Sequence, residues 1–244
     1  MNATVVVSGA GTGIGRAVVT HLARDGKSVT AVGRRRAPLD AVRDAAGDSV
    51  TVVPADVSTE AGAVAVAEQV RRSGLRCAGV VAAAGGLSPS RGTSLAEVRE
   101  EWEDSFRSNV LTAVLLVEAL RPLLEPAAGR VVLLSSVAAL RGAGGGPYGA
   151  MKAALHGLAF DLAAGLGSHG GTANVVAPGF VPDTEFWAGR LTAESRARRA
   201  GQTLVERAGT PDEVAGLICW LLGPDGGWVT GQVLSPNGGV VLGR

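Results

Sequence analysis

Short apolar runs alternate with longer amphipathic stretches along the whole chain of 244 residues. Continuous runs of Val, Leu and Ala are typical of strands that are buried on both faces, whereas the longer stretches with one apolar face are typical of helices. The pattern predicts strands near 3–8, 28–33, 50–54, 77–83, 130–135, 172–176 and 231–235. It predicts helices near 13–25, 36–46, 59–73, 95–124, 147–167 and 211–222.

This alternation is the pattern of an α/β fold, a doubly wound parallel sheet of seven strands with helices on both faces. At 46% hydrophobic residues the chain can bury one large core, so we expect residues 1–244 to form a single domain. The stretch 180–207 is irregular, follows a strand and carries Phe186, Trp187 and several charges. We interpret it as a lid over a substrate, although a solvated helical hairpin would show the same composition.

Composition and charge exclude several classes of function. The 23 basic residues balance 22 acidic ones, so the chain has no overall attraction to nucleic acid or membrane. No stretch is long enough to span a bilayer, and the first residues do not resemble a signal peptide, so we expect a cytoplasmic protein. We expect no metal site and reduced thiols, because no metal-ligand spacing connects His21, His156, His169, Cys77 and Cys219.

A glycine-rich turn joins the first strand to the first helix. Glycines at such a turn let the backbone approach a pyrophosphate, which lies at the positive end of the following helix. The spacing is Gly-x-x-x-Gly-x-Gly, and no Lys-Ser or Lys-Thr follows, which disfavours a nucleoside-triphosphate P-loop. The turn alone is weak evidence, since any tight strand-to-helix connection can use one. The candidate dinucleotide-binding residues in it are Gly9, Gly11, Thr12, Gly13, Ile14 and Gly15.

Tyr148 and Lys152 lie four residues apart and therefore share one face of a predicted helix. A phenol ordinarily titrates near pKa ~10, and a cation within a few ångströms lowers that value. The pair could thus act as a proton donor near neutral pH. A half-buried tyrosine beside a surface lysine would give the same pattern.

Two polar residues are candidate partners for this pair. Ser136 follows a strongly β-prone run and so lies at the carboxyl end of a strand, where open α/β sheets bind ligands. Asn109 precedes the apolar stretch 110–117 and could equally be a satisfied polar group on a core helix.

Taken together, the glycine turn, Asn109, Ser136, Tyr148 and Lys152 resemble the short-chain dehydrogenase/reductase family in order and approximate spacing, over the whole chain. The resemblance implies a Rossmann-type fold and a nicotinamide-dependent oxidoreductase. Within the family, the chain is similar to β-ketoacyl carrier-protein reductases and ketoreductases of polyketide-type pathways. Another small alcohol or a sugar, with NAD or NADP, is an alternative substrate. Alternative functions on the same fold are those of a lyase or epimerase without net redox chemistry and of a cofactor-binding protein without turnover.

The resemblance also implies a role for each matching residue. Tyr148 would exchange a proton with the carbonyl oxygen, Lys152 would lower the pKa of Tyr148 and hold the nicotinamide ribose, and Ser136 would orient the substrate oxygen. Asn109 would anchor a water that relays protons to Lys152. The implied cofactor-binding residues outside the glycine turn are Asp56, Val57, Ala83, Ala84, Gly85, Asn109, Tyr148, Lys152, Pro178, Gly179 and Val181.

Three arginines, Arg34 to Arg36, directly follow the second predicted strand, where an NAD enzyme places a carboxylate for the adenosine ribose. A guanidinium instead pairs with the 2′-phosphate of NADP. We therefore predict NADP(H) over NAD(H), with Arg34 as the main contact and Arg35 as its neighbour. Thr12 stands where many NADP-preferring relatives carry Arg, which weakens this prediction, and a solvated basic helix start is the alternative.

The chain departs from the family pattern at three places. Ala82 and Ala83 replace two asparagines after the fourth strand, which puts local bracing in doubt. Ser136 and Tyr148 are twelve residues apart, one fewer than usual, across a glycine-rich interval. Asp183 takes an expected threonine position, with Thr184 one place later.

Assembly is a further expectation. The segments 109–124 and 148–167 are rich in Leu and Val or in Ala and Gly, as closely packed helices would be. The resembled family uses these helices as its main subunit contact, which implies a homotetramer or a homodimer. Burial inside one subunit would explain the same composition.

Overall fold

The computed structural model describes residues 3–88, 92–124, 129–142 and 146–243. Seven strands were located in these ranges, and their bounds are β1 Ala3–Ser8, β2 Ser28–Gly33, β3 Val50–Pro54, β4 Arg76–Ala82, β5 Arg130–Leu134, β6 Thr172–Val176 and β7 Val233–Leu234. The helices are α1 Gly13–Arg24, α2 Arg36–Ala46, α3 Glu60–Arg72, α4 Leu95–Phe106, α5 Thr112–Leu120, α6 Ala138–Arg141, α7 Tyr148–Gly167, α8 Ala193–Ala200 and α9 Pro211–Leu222. No helix in the described ranges is both long and apolar enough to cross a bilayer.

All seven strands run parallel, in the order β3-β2-β1-β4-β5-β6-β7. The predicted doubly wound α/β fold is therefore confirmed. The chain moves outward from β1 to β3 and then returns to the other side of β1 with β4. Ser8 and Ala82 are register partners at the ends of these two strands, so the loops after them diverge. A crevice opens at such a point, and ligands of doubly wound sheets bind there.

The core consists of two layers, one on each face of the sheet. Val6 belongs to the layer that contains Leu116 and Leu155, whereas Val7 belongs to the layer that contains Val18 and Ile218. Successive side chains of a strand point to opposite faces, so a strand covered on both sides must be apolar at every position. This explains why the strands appear in the sequence as unbroken apolar runs.

The predicted helix 95–124 is interrupted in the structure. A π-helical turn, Arg107–Leu111, separates α4 from α5, and a short 3-10 turn, Arg121–Leu123, follows α5. The π-helical turn contains Asn109, which is fully buried. Such turns inside α-helices are frequent at functional sites. Hydrophobic periodicity did not reveal this interruption.

Two further segments differ from the predicted elements. The last strand, β7, has only two residues, since Pro236 follows closely and cannot donate to a ladder. The stretch 180–207 is not wholly irregular, because it contains a 3-10 turn, Glu185–Trp187, and helix α8. Thr192 and Ser195 form a capping box at the start of α8, which explains why this polar segment is helical.

Candidate active site

The glycine turn after β1 is shaped by close backbone approaches. A Cβ atom on Gly15 would lie 2.3 Å from the carbonyl oxygen of Gly9, and one on Gly9 would lie 2.8 Å from that of Ala83. Gly9 also has a φ of 66°, in the left-handed region that favours glycine. The turn therefore packs directly on the start of α1 and on the loop after β4.

The amino terminus of α1 can hold an anion. Thr12 is the N-cap residue, its side chain caps no backbone N–H, and the first turn contains no acidic residue. The free N–H groups and the positive end of the helix dipole thus face the crevice without an internal partner. Together with the glycine turn, these groups fit the pyrophosphate of a dinucleotide.

Two cavities form a continuous groove along the carboxyl edge of the sheet. Their volumes are about 670 Å³ and about 570 Å³, and both are lined by Gly9, Thr12, Ala84, Gly85 and Glu185. We call the larger one, which contains Tyr148, the catalytic cavity, and the smaller one the adenosine cavity.

Apart from Asn109, every residue named above for catalysis or cofactor binding lines one of the two cavities. The residues on the catalytic cavity are Gly9, Thr12, Gly13, Ile14, Gly15, Ala83, Ala84, Gly85, Ser136, Tyr148, Lys152, Pro178, Gly179 and Val181. Those on the adenosine cavity include Gly11, Arg34, Arg35, Asp56 and Val57.

The structure brings Ser136, Tyr148 and Lys152 together in the catalytic cavity. The Ser136 hydroxyl hydrogen-bonds the Tyr148 side chain and accepts a hydrogen bond from the Ala138 N–H at 3.2 Å. Nζ of Lys152 lies 5.9 Å from the centroid of the Tyr148 ring. The interval between Ser136 and Tyr148 includes residues 143–145, which lie outside the described ranges.

The pKa of Tyr148 differs from the sequence-based expectation. Burial raises it to about 12, and the hydrogen bond with Ser136 lowers it only in part. Lys152 does not offset the effect of burial, and its ammonium instead donates to the carbonyl oxygen of Leu134 at 2.9 Å. Burial also lowers the pKa of Lys152 to about 8. Tyr148 is therefore a neutral phenol at pH 7 and a potential proton donor.

The two serines after β5 have different surroundings. Ser135 is buried, and its hydroxyl donates to the carbonyl oxygen of Lys152 at 2.8 Å. Because the hydroxyl has one hydrogen, Nε2 of His156, 3.0 Å away, must donate to it. Ser135 thus fastens β5 to α7, whereas Ser136 contacts the phenol. Burial lowers the pKa of His156, which keeps this ring neutral.

Asn109 lies behind Lys152 rather than on the groove surface. Its Nδ2 donates to the carbonyl oxygen of Gly86 at 2.8 Å, and its Oδ1 accepts from the N–H of Gly86 at 3.0 Å. A Cβ atom on Gly85 would lie 2.7 Å from Oδ1 of Asn109 and 2.9 Å from Nζ of Lys152. Both polar atoms therefore converge beside Gly85, and a side chain there would displace them.

The loop after β4 is braced without the two asparagines of the family pattern. Oγ of Ser8 accepts from the N–H of Ala84 at 3.2 Å, and Oγ1 of Thr112 lies 3.5 Å from the carbonyl oxygen of Ala84. With the paired bonds of Asn109 to Gly86, three side chains fix this backbone. The loop is therefore anchored, although Ala82 and Ala83 replace the two asparagines.

The adenosine cavity has a basic rim. Arg34 and Arg35 both line it, and Arg35 forms an ion pair with Glu185. The pKa of Asp56 is lowered, mainly by hydrogen bonds from Ser58 and further by the charges of Arg34 and Arg107. An arginine pair at this place fits a phosphate on the ribose, whereas Glu185 competes for one of the two guanidinium groups.

In the loop after β6, Thr184 and not Asp183 faces the groove. Asp183 turns outward and pairs with Arg196 at 3.0 Å. Thr184 lines the catalytic cavity instead, and a Cβ atom on Gly13 would lie 3.1 Å from its methyl group. Thr184 therefore faces the glycine turn. Gly179 packs so tightly that a Cβ atom there would lie 2.7 Å from Cα of Asn237.

An aromatic row covers one side of the catalytic cavity. Ring centroids are 5.5 Å apart for Tyr148 and Phe186, 5.0 Å for Phe186 and Trp187, and 5.4 Å for Phe180 and Trp187. The sequence singled out Phe186 and Trp187 but not Glu185 or the cavity-lining residues Arg141, Arg199 and Gln202. No local pattern marks these four, because they come together only through the fold.

Comparisons with known proteins identify the family of the chain. A family model described as Enoyl-(Acyl carrier protein) reductase matches residues 9–241. Short-chain reductase protein NovJ of Streptomyces niveus is 34% identical, with 96% of this chain and 92% of NovJ covered. The 3-oxoacyl-[acyl-carrier-protein] reductase FabG of Escherichia coli is 31% identical, with 97% of this chain and 96% of FabG covered.

Solved structures show the same likeness. A short-chain dehydrogenase/reductase of Brucella melitensis, described as a glucose/ribitol dehydrogenase, has a TM-score of 0.90 at 27% identity, with 99% of this chain and 98% of that chain covered. A mutant short-chain dehydrogenase/reductase of Serratia marcescens has a TM-score of 0.87 at 27% identity, with 98% of each chain covered. Matches across almost the entire length mean that the chain belongs to the short-chain dehydrogenase/reductase family, whose members are oxidoreductases that bind a nicotinamide cofactor.

Proposed function

We propose that the protein is an NADPH-dependent reductase of a 3-oxoacyl thioester or a polyketide-type ketone. One observation carries the proposal: Ser136, Tyr148 and Lys152 meet in a cavity that continues into the glycine-lined groove. NADPH, when bound, supplies the hydride. The glycine turn and the amino terminus of α1 would hold its pyrophosphate, and Arg34 with Arg35 would hold its 2′-phosphate.

The side chains have distinct roles in the proposed reaction. Ser136 donates a hydrogen bond to the carbonyl oxygen of the substrate and fixes its position. Tyr148, as a neutral phenol, donates a proton to the same oxygen, and accepts it in the oxidative direction. Lys152, with a pKa of about 8, is mostly a cation at pH 7 and stabilises the phenolate that remains. Asn109 holds the backbone at Gly86 and lies where it can anchor a water beside Lys152.

The chain as a whole is proposed to act as one catalytic domain with 180–207 as its lid. The contact of Phe186 with Tyr148 and the ion pair of Glu185 with Arg35 support this role, because both connect the segment to the groove. Closure of such a segment excludes water from the reacting atoms.

We also propose a homotetramer, or else a homodimer, in the cytoplasm. Trp102 and Phe106 of α4 are 43% exposed, and Phe160 of α7 is 50% exposed. Large apolar side chains on the outer faces of these helices favour burial against another subunit.

The test is an assay grid of NADPH and NADH against a 3-oxoacyl thioester, a 2-enoyl thioester, a cyclic ketone and a keto sugar. We expect NADPH oxidation with the 3-oxoacyl thioester, and turnover reduced about 10²- to 10⁴-fold by Tyr148→Phe. Oxidation with the enoyl thioester alone would replace ketone reduction by reduction of a carbon–carbon double bond. Product without a change in nicotinamide absorbance would indicate a lyase or epimerase, and no reaction at all would indicate a cofactor-binding protein.

A further inference from the structure

The charges around the catalytic cavity are unbalanced. Among the described residues that line it, four are basic and one is acidic, namely Arg141, Lys152, Arg190 and Arg199 against Glu185. Glu185 is already paired with Arg35. A cavity with this balance of charge favours a negatively charged occupant.

Arg199 is the arginine of this wall that stacks on aromatic rings. Its guanidinium carbon lies 4.8 Å from the ring centroid of Trp187 and 5.9 Å from that of Phe180. The two rings meet edge to face at 78°, so they present a fixed surface for stacking. Stacking on aromatic rings orients the guanidinium plane before any ligand arrives.

One donor of the Arg199 side chain has no acceptor among the described residues. Its Nε is enclosed, and in the described part of the chain no acceptor meets it. By contrast Arg196, on the same helix, pairs with Asp183 at 3.0 Å. Donors of a charged group that stay unpaired are costly, so a ligand that accepts from them is favoured.

Arg199 and Tyr148 are connected by a row of aromatic rings. Phe186 contacts Tyr148 on one side and Trp187 on the other, and Trp187 in turn stacks on Arg199. A ligand whose carbonyl reaches the phenol can therefore lie along this apolar row with its far end at the guanidinium.

We propose that Arg199 determines substrate specificity by binding a carboxylate at the far end of a polyketide-type ketone, whose stem between the ketone and the carboxylate is flat and apolar. The inference rests on the proposed function, because it assigns the substrate class of the same cavity. A guanidinium presents its N–H groups in a planar fork, which matches the two oxygens of a carboxylate.

The first experiment measures binding without cofactor or turnover. Isothermal titration compares 2-naphthoate with the uncharged 2-naphthamide on the wild-type chain, on Arg199→Met and on Arg198→Met. Met keeps an unbranched side chain at position 199 but removes the charge, and Arg198 is an exposed arginine on the same helix. We expect the wild-type chain to bind naphthoate about tenfold more tightly than naphthamide. Arg199→Met should abolish the difference, and Arg198→Met should retain it.

Three results would overturn the inference. They are equal binding of naphthoate and naphthamide by the wild-type chain, a loss of discrimination in Arg198→Met as large as that in Arg199→Met, and, in the same titration, a preference for 2-naphthyl phosphate over 2-naphthoate. The experiment separates this inference from the proposed function, because it needs neither hydride transfer nor NADPH. Carboxylate discrimination without any ketone reduction would reject the function alone, and ketone reduction without discrimination would reject the role of Arg199 alone.

A kinetic experiment extends the test to turnover. With NADPH, 4-acetylbenzoate and its methyl ester form a matched pair of ketones, and the acid should have the lower KM with a similar kcat. Arg199→Met should raise the KM of the acid about tenfold and leave that of the ester nearly unchanged. An equal change for both ketones would contradict a specific contact with the carboxylate.

Discussion

Arg35 and Glu185, 150 positions apart in the chain, form an ion pair at the junction of the adenosine and catalytic cavities. Arg35 precedes α2, and Glu185 begins the 3-10 turn of the segment 180–207. The pair is largely exposed, so it contributes little to stability. Its position matters more, because the carboxylate occupies a guanidinium that the proposed 2′-phosphate would need.

Glu185→Gln should therefore improve NADPH binding. The substitution removes a competing carboxylate and leaves Arg35 free, so we expect a severalfold lower Kd for NADPH and little change for NADH. Fluorescence titration of the reduced nucleotides measures both values. The free energy of unfolding should change by less than about 1 kcal/mol. Weaker NADPH binding in this variant would show that the ion pair supports the cofactor site.

Arg34 should be the main source of cofactor preference. Arg34→Gln removes a charged donor from the adenosine cavity, so the Kd of NADPH should rise about tenfold, with NADH affected much less. Arg36→Gln is the matched control, because Arg36 pairs with Asp40 at 3.0 Å and does not line the cavity. Similar losses in both variants would instead point to a general effect of positive charge.

Alanine substitutions of the two serines after β5 should have different effects, one on turnover and the other on stability. Ser136→Ala should lower kcat/KM about 10²-fold with little change in stability, because it removes a donor to the reacting oxygen. Ser135→Ala should instead lower the free energy of unfolding by about 1 kcal/mol, because it removes the buried hydroxyl that connects the Lys152 carbonyl to the His156 ring. Steady-state kinetics and urea denaturation separate the two effects. A larger kinetic loss for Ser135→Ala would reverse the assignment.

Tyr148 can be titrated directly, since it is the single tyrosine of the chain. Burial raises its pKa from 10.0 to about 12 in the folded protein. A raised pKa means that burial of the neutral phenol stabilises the fold fully below pH ~10 and that this contribution is lost as pH rises through about 12. Absorbance of the tyrosinate, with circular dichroism to confirm folding, measures the value. A folded-state pKa at or below the ordinary one would mean that Lys152 dominates over burial.

Gly15 should tolerate no side chain. Gly15→Ala places a Cβ atom 2.3 Å from the backbone oxygen of Gly9, so the turn must shift. We expect the free energy of unfolding to fall by roughly 2–4 kcal/mol, together with weaker nucleotide binding. Gly216→Ala is the control, because among the described residues no atom outside the adjacent helix backbone lies within 4 Å of its Cβ position, and helix α9 should gain about 0.5–1 kcal/mol. Equal effects in the two variants would exclude the steric explanation.

The sequence by itself determined the α/β class, the approximate strands and helices and the two ends of the groove. These features are local: unbroken apolar runs mark strands such as β1, glycines mark the turn at Gly9, and a four-residue interval places Tyr148 and Lys152 on one helix face. The match of several such motifs in a familiar order indicated the family. Each single motif is formed by residues that are close together in the chain.

Only the tertiary structure decided what Ser135 binds, why the helix is interrupted at Asn109 and where the cations of the cavity lie. Ser135 and Ser136 differ because α7 packs over the first of them. Asn109 depends on the backbone at Gly86, and Arg199 depends on the rings of Phe180 and Trp187. Contacts between distant segments decide such features, and hydrophobic periodicity carries no information about them.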